Sequence, residues 1–265
     1  MKIQEWRRLA LCSVGLLAAV LLVSLSGMLH PLADNNLPGE ENGTGTASER
    51  LQDIAHVEAH GRDENEPAVT QEPRRQYVVV IDAGHGGDDE GTGSTDWKYR
   101  EKDYALKVAD CLKEILDGTN IKAYYTRTDD REVSKEERVR LAKKVGADAL
   151  ISIHCNASDL NETTAKGVET LYSSRKAAAK NGLSSKELAR NMLESVCETT
   201  GRQKRKVIRR DRLYLMHHAD MPVTIVEIGF MTNRSDMEYM KSEENQKAIA
   251  QGIYRGICTS FHISE

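Results

Sequence analysis

Three short apolar runs in this sequence each lead into a side chain that binds protons or metals. Val78-Val79-Val80-Ile81 runs into Asp82-Ala83-Gly84-His85-Gly86-Gly87, Leu150-Ile151-Ser152-Ile153 into His154, and Thr224-Ile225-Val226 into Glu227. Continuous apolar runs of this length read as strands buried on both faces, the pattern of a parallel sheet covered by helices on each side. In open α/β sheets the carboxyl ends of the strands form the edge where ligands bind. His85, His154 and Glu227 are therefore expected to meet at one edge of one sheet, although they are far apart in the chain.

The remaining pattern agrees with an α/β fold. Strands are expected at Tyr77–Ile81, Ile121–Tyr125, Ala149–His154, Val168–Tyr172 and Val223–Glu227. Between them, Lys102–Leu116 carries apolar residues at helical spacing (Ala105, Val108, Ala109, Leu112, Ile115, Leu116), and Gly118 follows as a stop. Ser134 precedes Lys135–Val145 with Glu137 three residues on, and Ser184 precedes Ser185–Thr200 with Glu187 at the same offset, both in the capping-box pattern. Asn245–Phe261 reads as a last helix. Alternating strands and helices imply a mostly parallel sheet in three layers.

The folded part is expected to span 77–265 of the 265 residues, and what precedes it differs in kind. Lys2, Arg7 and Arg8 flank an uncharged stretch from Leu9 to Leu29, 21 residues long. As a helix it would extend about 30 Å, the thickness of a bilayer core. The positive flank predicts that the rest of the chain lies outside the cell membrane. Residues 1–30 thus read as a signal anchor, with a cleaved signal peptide as the alternative. Leu9-Ala10-Leu11-Cys12 is a poor lipoprotein box, since it precedes the apolar run and lacks a small residue before the cysteine. Residues 31–76 are acidic and too poor in apolar side chains to bury a core, so a disordered tether is expected. His56 and His60 within it read as part of a weakly helical linker rather than as a metal pair.

Other features exclude more than they assign. A net charge of −4 gives no overall nucleic-acid signature. The five cysteines contain no C-x-x-C pair, so neither a zinc ribbon nor a thioredoxin-like site is present. Cys155 reads as a small apolar residue. The basic stretch Arg202–Arg212 reads as a solvated loop, with attraction of carboxylates or an anionic polymer as the sharper alternative. His217 and His218 read as surface residues beside the site.

Zinc takes neutral imidazoles and carboxylates and keeps one position open for water. His85 and His154 supply two donors. Glu101, at the start of the first helix, becomes the third if the loop Gly86–Arg100, with glycines at 86, 87, 91 and 93, folds it back over His85. Glu227 ends an otherwise apolar strand, where a carboxylate is costly unless it is paired or working. It reads as the general base toward water and then proton donor to a leaving amine, with an ion pair to an arginine such as Arg127 as the structural alternative. Asp82 and Asn156 suit hydrogen bonding to the ligands or to the turns. The arrangement predicts a zinc hydrolase.

The segments Ile81–Gly87 (IDAGHGG), Glu101–Asp103 (EKD), Arg138–Ser158, Gly167–Tyr172 (GVETLY) and Met221–Asn233 (MPVTIVEIGFMTN) resemble, in order, the zinc-dependent N-acetylmuramoyl-L-alanine amidases of the amidase-3 type. The resemblance implies a six-stranded, three-layer fold and one Zn²⁺ held by His85, Glu101 and His154, with Glu227 catalytic. It implies hydrolysis of the amide between N-acetylmuramic acid and L-alanine in peptidoglycan. Cys155 stands where the family usually has alanine. Some members carry a blocking helix between the second metal histidine and the catalytic glutamate; here Ser173–Met221 shows one expected helix and a basic stretch. A short anchored chain of this kind also resembles the spore-cortex type. The expected partners are glycan strands with stem peptides and the membrane, with no nucleic acid, and the expected state is a monomer. A silent wall-binding or regulatory module, or a zinc peptidase on stem peptides, are the alternatives.

Overall fold

The computed structural model describes residues 75–159, 164–177, 179 and 181–264, all within one compact unit spanning Val69–Glu265. The uncharged stretch Leu9–Leu29, the tether at 31–76 apart from its last two residues, and His56 and His60 lie outside the described residues. Among those described, no helix is long and apolar enough to cross a membrane.

The elements are β1 (Val78–Ala83), α1 (Glu101–Leu116), β2 (Lys122–Tyr125), α2 (Lys135–Lys144), β3 (Ala149–Asn156), β4 (Val168–Tyr172), α3 (Ser185–Thr200), β5 (Lys204–Arg209), α4 (Tyr214–His218), β6 (Val223–Phe230), α5 (Arg234–Lys241) and α6 (Glu243–Phe261). The strands form one six-stranded sheet in the order β2-β1-β3-β6-β4-β5. All neighbours are parallel except β4 and β6. Local chemistry explains the helix starts. Ser134 and Glu137 make the reciprocal capping box of α2, while Ser184 accepts from the Glu187 amide at α3 without the return bond.

Side chains alternate across a strand, and here they sort into two cores. Val79, Ile81, Ile151, Ile153, Val226 and Ile228 pack beneath α1, α3, α5 and α6. Val80, Leu150, Val223 and Ile225 pack beneath α2 and α4. The second layer is thin, because α2 has ten residues and α4 five, against 16, 16, eight and 19 on the other side. By the same alternation Asp82, Ser152, His154 and Glu227 face the thin layer, which leaves part of the sheet uncovered.

Three expectations are corrected. Arg202–Arg212 is not a loop: Lys204–Arg209 is the edge strand β5. Its alternation is obscured by cations, which an edge strand tolerates because only part of it is buried. Helices α4 and α5 were not anticipated, being too short for a periodic pattern. The strands carrying His154 and Glu227 also run on past them to Asn156 and Phe230, with an irregularity in pairing between His154 and Asn156. Both side chains thus project from paired strand, which holds them more rigidly than a strand terminus would.

Candidate active site

His85 follows β1 in a left-handed backbone conformation (φ 57°), which turns it back over the sheet. The turn depends on glycine. A Cβ on Gly84 would lie 2.5 Å from the His154 ring, and one on Gly91 would lie 2.6 Å from Glu101 Oε2 and 2.7 Å from His85 Cδ2. Two buried arginines fasten the turn from beneath. Arg138 donates to the carbonyls of Ala83 and His85 (both 2.8 Å), and Arg127 to those of Ala83 (2.9 Å) and Gly84 (2.8 Å). Asp82 anchors Arg138 at 2.5 Å and accepts from Ser152 and Thr126. Burial opposes its charge, but Arg138 and the two hydroxyls outweigh it and hold the carboxyl below its ordinary range. Asp82 therefore supports the turn and touches neither histidine ring.

The loop after His85 folds tightly, with bridges between Gly86 and Asp89 and between Gly93 and Arg100, and it delivers Glu101 over His85 as expected. Glu101 is 3% exposed. Its Oε1 lies 2.7 Å from His154 Nδ1 and its Oε2 3.2 Å from His85 Nε2. Each oxygen also accepts a main-chain amide, from Cys155 (3.0 Å) and from Thr92 (2.8 Å). Burial pushes this carboxyl up, yet the bonds from His154 and His85 prevail and hold it far below the usual range. For His154, burial lowers the pKa, and the bond to Glu101 and its charge more than reverse that. One donor atom from each of His85, Glu101 and His154 lies within 4.8 Å of the others. Asp89, which sequence reading did not single out, meets the other nitrogen of His85 at 2.9 Å and leaves Nε2 facing Glu101. A carboxylate four residues after a histidine in a glycine-rich loop was the available signal.

Glu227 sits on β6, directly opposite His154 on β3 and Glu169 on β4. Among the described residues no arginine pairs with it, and its Oε2 is buried without a hydrogen-bond partner. Arg127 is committed to main-chain carbonyls instead. Burial raises the Glu227 pKa to about 7, with Glu101 and Glu169 adding to the rise and His154 opposing it. Glu169, also missed, is held by Asn156 (3.0 Å) and Arg205 (2.6 Å). Asn156 thus serves the neighbouring acid and not the histidines. Cys155 is buried against Met240, and burial pushes its thiol well up, consistent with a packing role.

A cleft of about 400 Å³ opens at the two histidines, lined by His85, His154, Asp89, Arg138 and Ile225 and walled by Leu213, Tyr214 and Leu215; Glu101 and Glu227 lie beside His154 and are not part of its lining. A larger concavity of about 690 Å³, between Ser94 and Lys241, contains none of His85, Glu101, His154 or Glu227. His217 and His218 stay on the exposed side of α4, where His218 stacks on Tyr214. Helix α3 packs on α6 and contributes nothing to the cleft, so among the described residues of Ser173–Met221 only Leu213 and the start of α4 border it.

The comparisons with known proteins agree with this geometry. Residues 79–259 match the family described as N-acetylmuramoyl-L-alanine amidase. The uncharacterised protein YqiI of Bacillus subtilis (strain 168) is 33% identical over 72% of this chain and 87% of its own length. The probable cell wall amidase LytH of Staphylococcus aureus is 27% identical over 70% of this chain, a match that spans 58% of LytH. Among solved structures, an N-acetylmuramoyl-L-alanine amidase from Clostridium difficile 630 superposes with a TM-score of 0.65 at 34% identity, covering 72% of this chain and 99% of that one. The CwlD amidase from Clostridioides difficile, solved in complex with the GerS lipoprotein, gives 0.64 at 27% identity over 71% of this chain and all of that one. The family match, spanning most of the described sheet, and these relatives identify the chain as a member of the N-acetylmuramoyl-L-alanine amidase family, an enzyme of peptidoglycan cleavage.

Proposed function

We propose that the enzyme hydrolyses the amide between N-acetylmuramic acid and L-alanine with one zinc ion held by His85, Glu101 and His154, and with Glu227 as general base and acid. The observation that carries this reading is the pairing of a three-donor cluster with a carboxylate whose buried Oε2 has no hydrogen-bond partner. Two imidazoles and one carboxylate are a donor set typical of catalytic zinc, and the orphaned Glu227 oxygen fits a group that handles a proton there. When bound, the metal acidifies a water and polarises the scissile carbonyl. Asp89 fixes the His85 ring so that Nε2 faces inward. Glu227 accepts a proton from the attacking water at its unpartnered oxygen and returns it to the leaving nitrogen of L-alanine. Its raised pKa suits both transfers near neutral pH. No serine or cysteine nucleophile is needed.

We assign residues 1–30 to a membrane anchor, 31–76 to a tether and 77–265 to the catalytic domain, acting as a monomer on the wall side of the membrane. The spore-cortex role stays a narrower form of the same proposal, resting on the resemblance of the sequence alone. Digestion of purified peptidoglycan with mass analysis of the products tests the bond. New N-terminal L-alanine supports it, whereas cleavage within the stem peptide would replace it with a peptidase. External protease on wall-stripped cells should remove the domain; protection would refute the orientation. Light scattering at one chain per particle checks the monomer.

A further inference from the structure

Beyond β5 the chain builds a concentration of positive charge that the chemistry above does not use. Arg209, Arg210, Arg212 and Leu213 line a cavity of about 370 Å³ whose only acid is Asp211. Asp211 is already committed: it accepts from the Ser174 amide and hydroxyl and pairs with Arg209 at 3.0 Å. Arg175 also acts on it electrostatically. Arg210 reaches only the Arg209 carbonyl (3.3 Å), and Arg212 has no hydrogen bond or ion pair among the described residues. Both are exposed. Elsewhere in the basic stretch Arg202 is spent on Asp236, Lys204 on Glu194 and Arg205 on Glu169, while Lys206 is exposed and lies outside this cavity.

This cavity adjoins the catalytic cleft, because Leu213, 39% exposed, lines both. The cleft's other wall is acidic, carrying Asp89, Glu132 and Glu136 against the single unpaired Lys135. A charged substrate entering the cleft meets repulsion on one side and attraction beyond Leu213 on the other. Register gives the span. Arg209 aligns with Tyr172, and Tyr172 with Thr224, three residues before Glu227. Two strand spacings and three residues of rise amount to about 14 Å between the Glu227 and Arg209 backbones. An extended peptide covers that distance in about four residues.

We propose that Arg210 and Arg212 form a carboxylate subsite for the peptide arm of the substrate, engaging an acid three or four residues beyond the scissile amide. The proposal rests on the amide-cleaving reading for the placement of the reacting bond beside Glu227. Of the two arms leaving that bond, the peptide is the one that carries carboxylates, so the arginines also set the direction in which substrate lies in the cleft.

The test is binding, which does not require turnover. Full-length protein carrying Glu227→Gln is titrated calorimetrically with a muramyl tetrapeptide bearing free carboxylates, and with the same probe fully amidated. An exposed ion pair contributes up to about fivefold in affinity, so Arg210→Ala with Arg212→Ala should weaken the free-acid probe roughly tenfold. The amidated probe should stay within about twofold, and a muramyl dipeptide should show no dependence on the arginines. Lys206→Ala removes an exposed charge outside the cavity and should change neither probe. Equal losses on both probes, no loss on either, or the same loss from Lys206→Ala would overturn the subsite. So would arginine-dependent binding of polyglycerol phosphate with the free-acid probe unaffected, which would reassign the cavity to wall polymer. A wild type that fails to cleave peptidoglycan, yet discriminates between the probes through these arginines, would remove the amidase mechanism and leave the subsite standing.

Discussion

The two faces of the sheet are made by alternate residues of the same strands, yet they do different work. One face is mostly apolar, with Ile81, Ile151, Ile153, Val226 and Ile228 under four helices and its buried threonines, Thr170 and Thr224, donating to main-chain carbonyls. The other begins apolar at Val80, Leu150 and Val223, then turns polar toward the site at Asp82, Ser152, His154 and Glu227. The apolar face gains stability from burial. The polar face must satisfy each charge locally, and it does so for Asp82 through Arg138 and for His154 through Glu101, but leaves Glu227 Oε2 buried without a partner. The lesson is that the well-packed face tolerates an unsatisfied carboxylate on its reverse, since rigid paired strand holds Glu227 where it would otherwise turn toward water.

Substitutions on the two faces should separate activity from stability. The largest effect is expected for His154→Ala, which removes one of three donors and should lose most of the zinc and nearly all hydrolysis. Elemental analysis beside a peptidoglycan assay checks it, and full zinc retention would break the ligand assignment. Glu227→Gln comes next. General acid–base catalysis is typically worth about 100- to 10,000-fold, so hydrolysis should fall by at least the lower figure while zinc content holds. Because burial raises this group's pKa, its ionisation opposes folding as pH rises from about 4.5 to about 7. The metal-free glutamine variant should therefore melt no lower than wild type at pH 7.5, and a lower melting point would favour a structural ion pair.

On the apolar face, Ile153→Ala should cost about 2–5 kcal/mol in denaturant unfolding and leave the turnover of folded enzyme close to normal. A large loss of turnover there would show that the two faces are coupled. Asp82→Asn belongs to the polar face but acts through the fold. Leaving Arg138 buried without its acid should cost about 3–5 kcal/mol near neutral pH. The Asp82 pKa is depressed on folding, so its contribution is present above the unfolded value of about 3.8 and fades as pH falls below it. The asparagine variant should lose that part of the acid sensitivity of the melting point. The smallest effect is the position of the acid limb of activity. It should lie above the ordinary 4.5 of glutamate and no higher than about 7, since a bound cation favours the ionised form. A limb below 4.5 would mean that Glu227 is not the group titrating.

The parallel core strands were legible because burial on both faces makes a strand continuously apolar, and β4 and the helices α2 and α3 were placed within a residue by their apolar patterns and serine caps. His85, His154 and Glu227 were legible as candidates because each interrupts or closes such a pattern with a costly group, and Glu101 as a first-turn acid weighed beside the two histidines. Strand β5 was not, since Arg202, Lys204 and Arg205 owe their charge to partners on other elements, Asp236, Glu194 and Glu169, that no local window contains. Glu169 was missed for the same reason, since register sets its neighbour Arg205, whereas Asp89 lies only four residues from His85 and was passed over although the spacing was local.

What the sequence determined by itself is therefore five of the six strands, their burial and the chemical kinds of the candidate site residues, because these follow from short-range periodicity and from the cost of burying polar groups. Only the tertiary structure decided that Glu227 has no arginine, that Asp82 supports the His85 turn rather than a ligand, and that a cluster of arginines borders the cleft. Those outcomes depend on which residues from distant strands fall in register on the same face, and register is fixed by packing of the whole sheet.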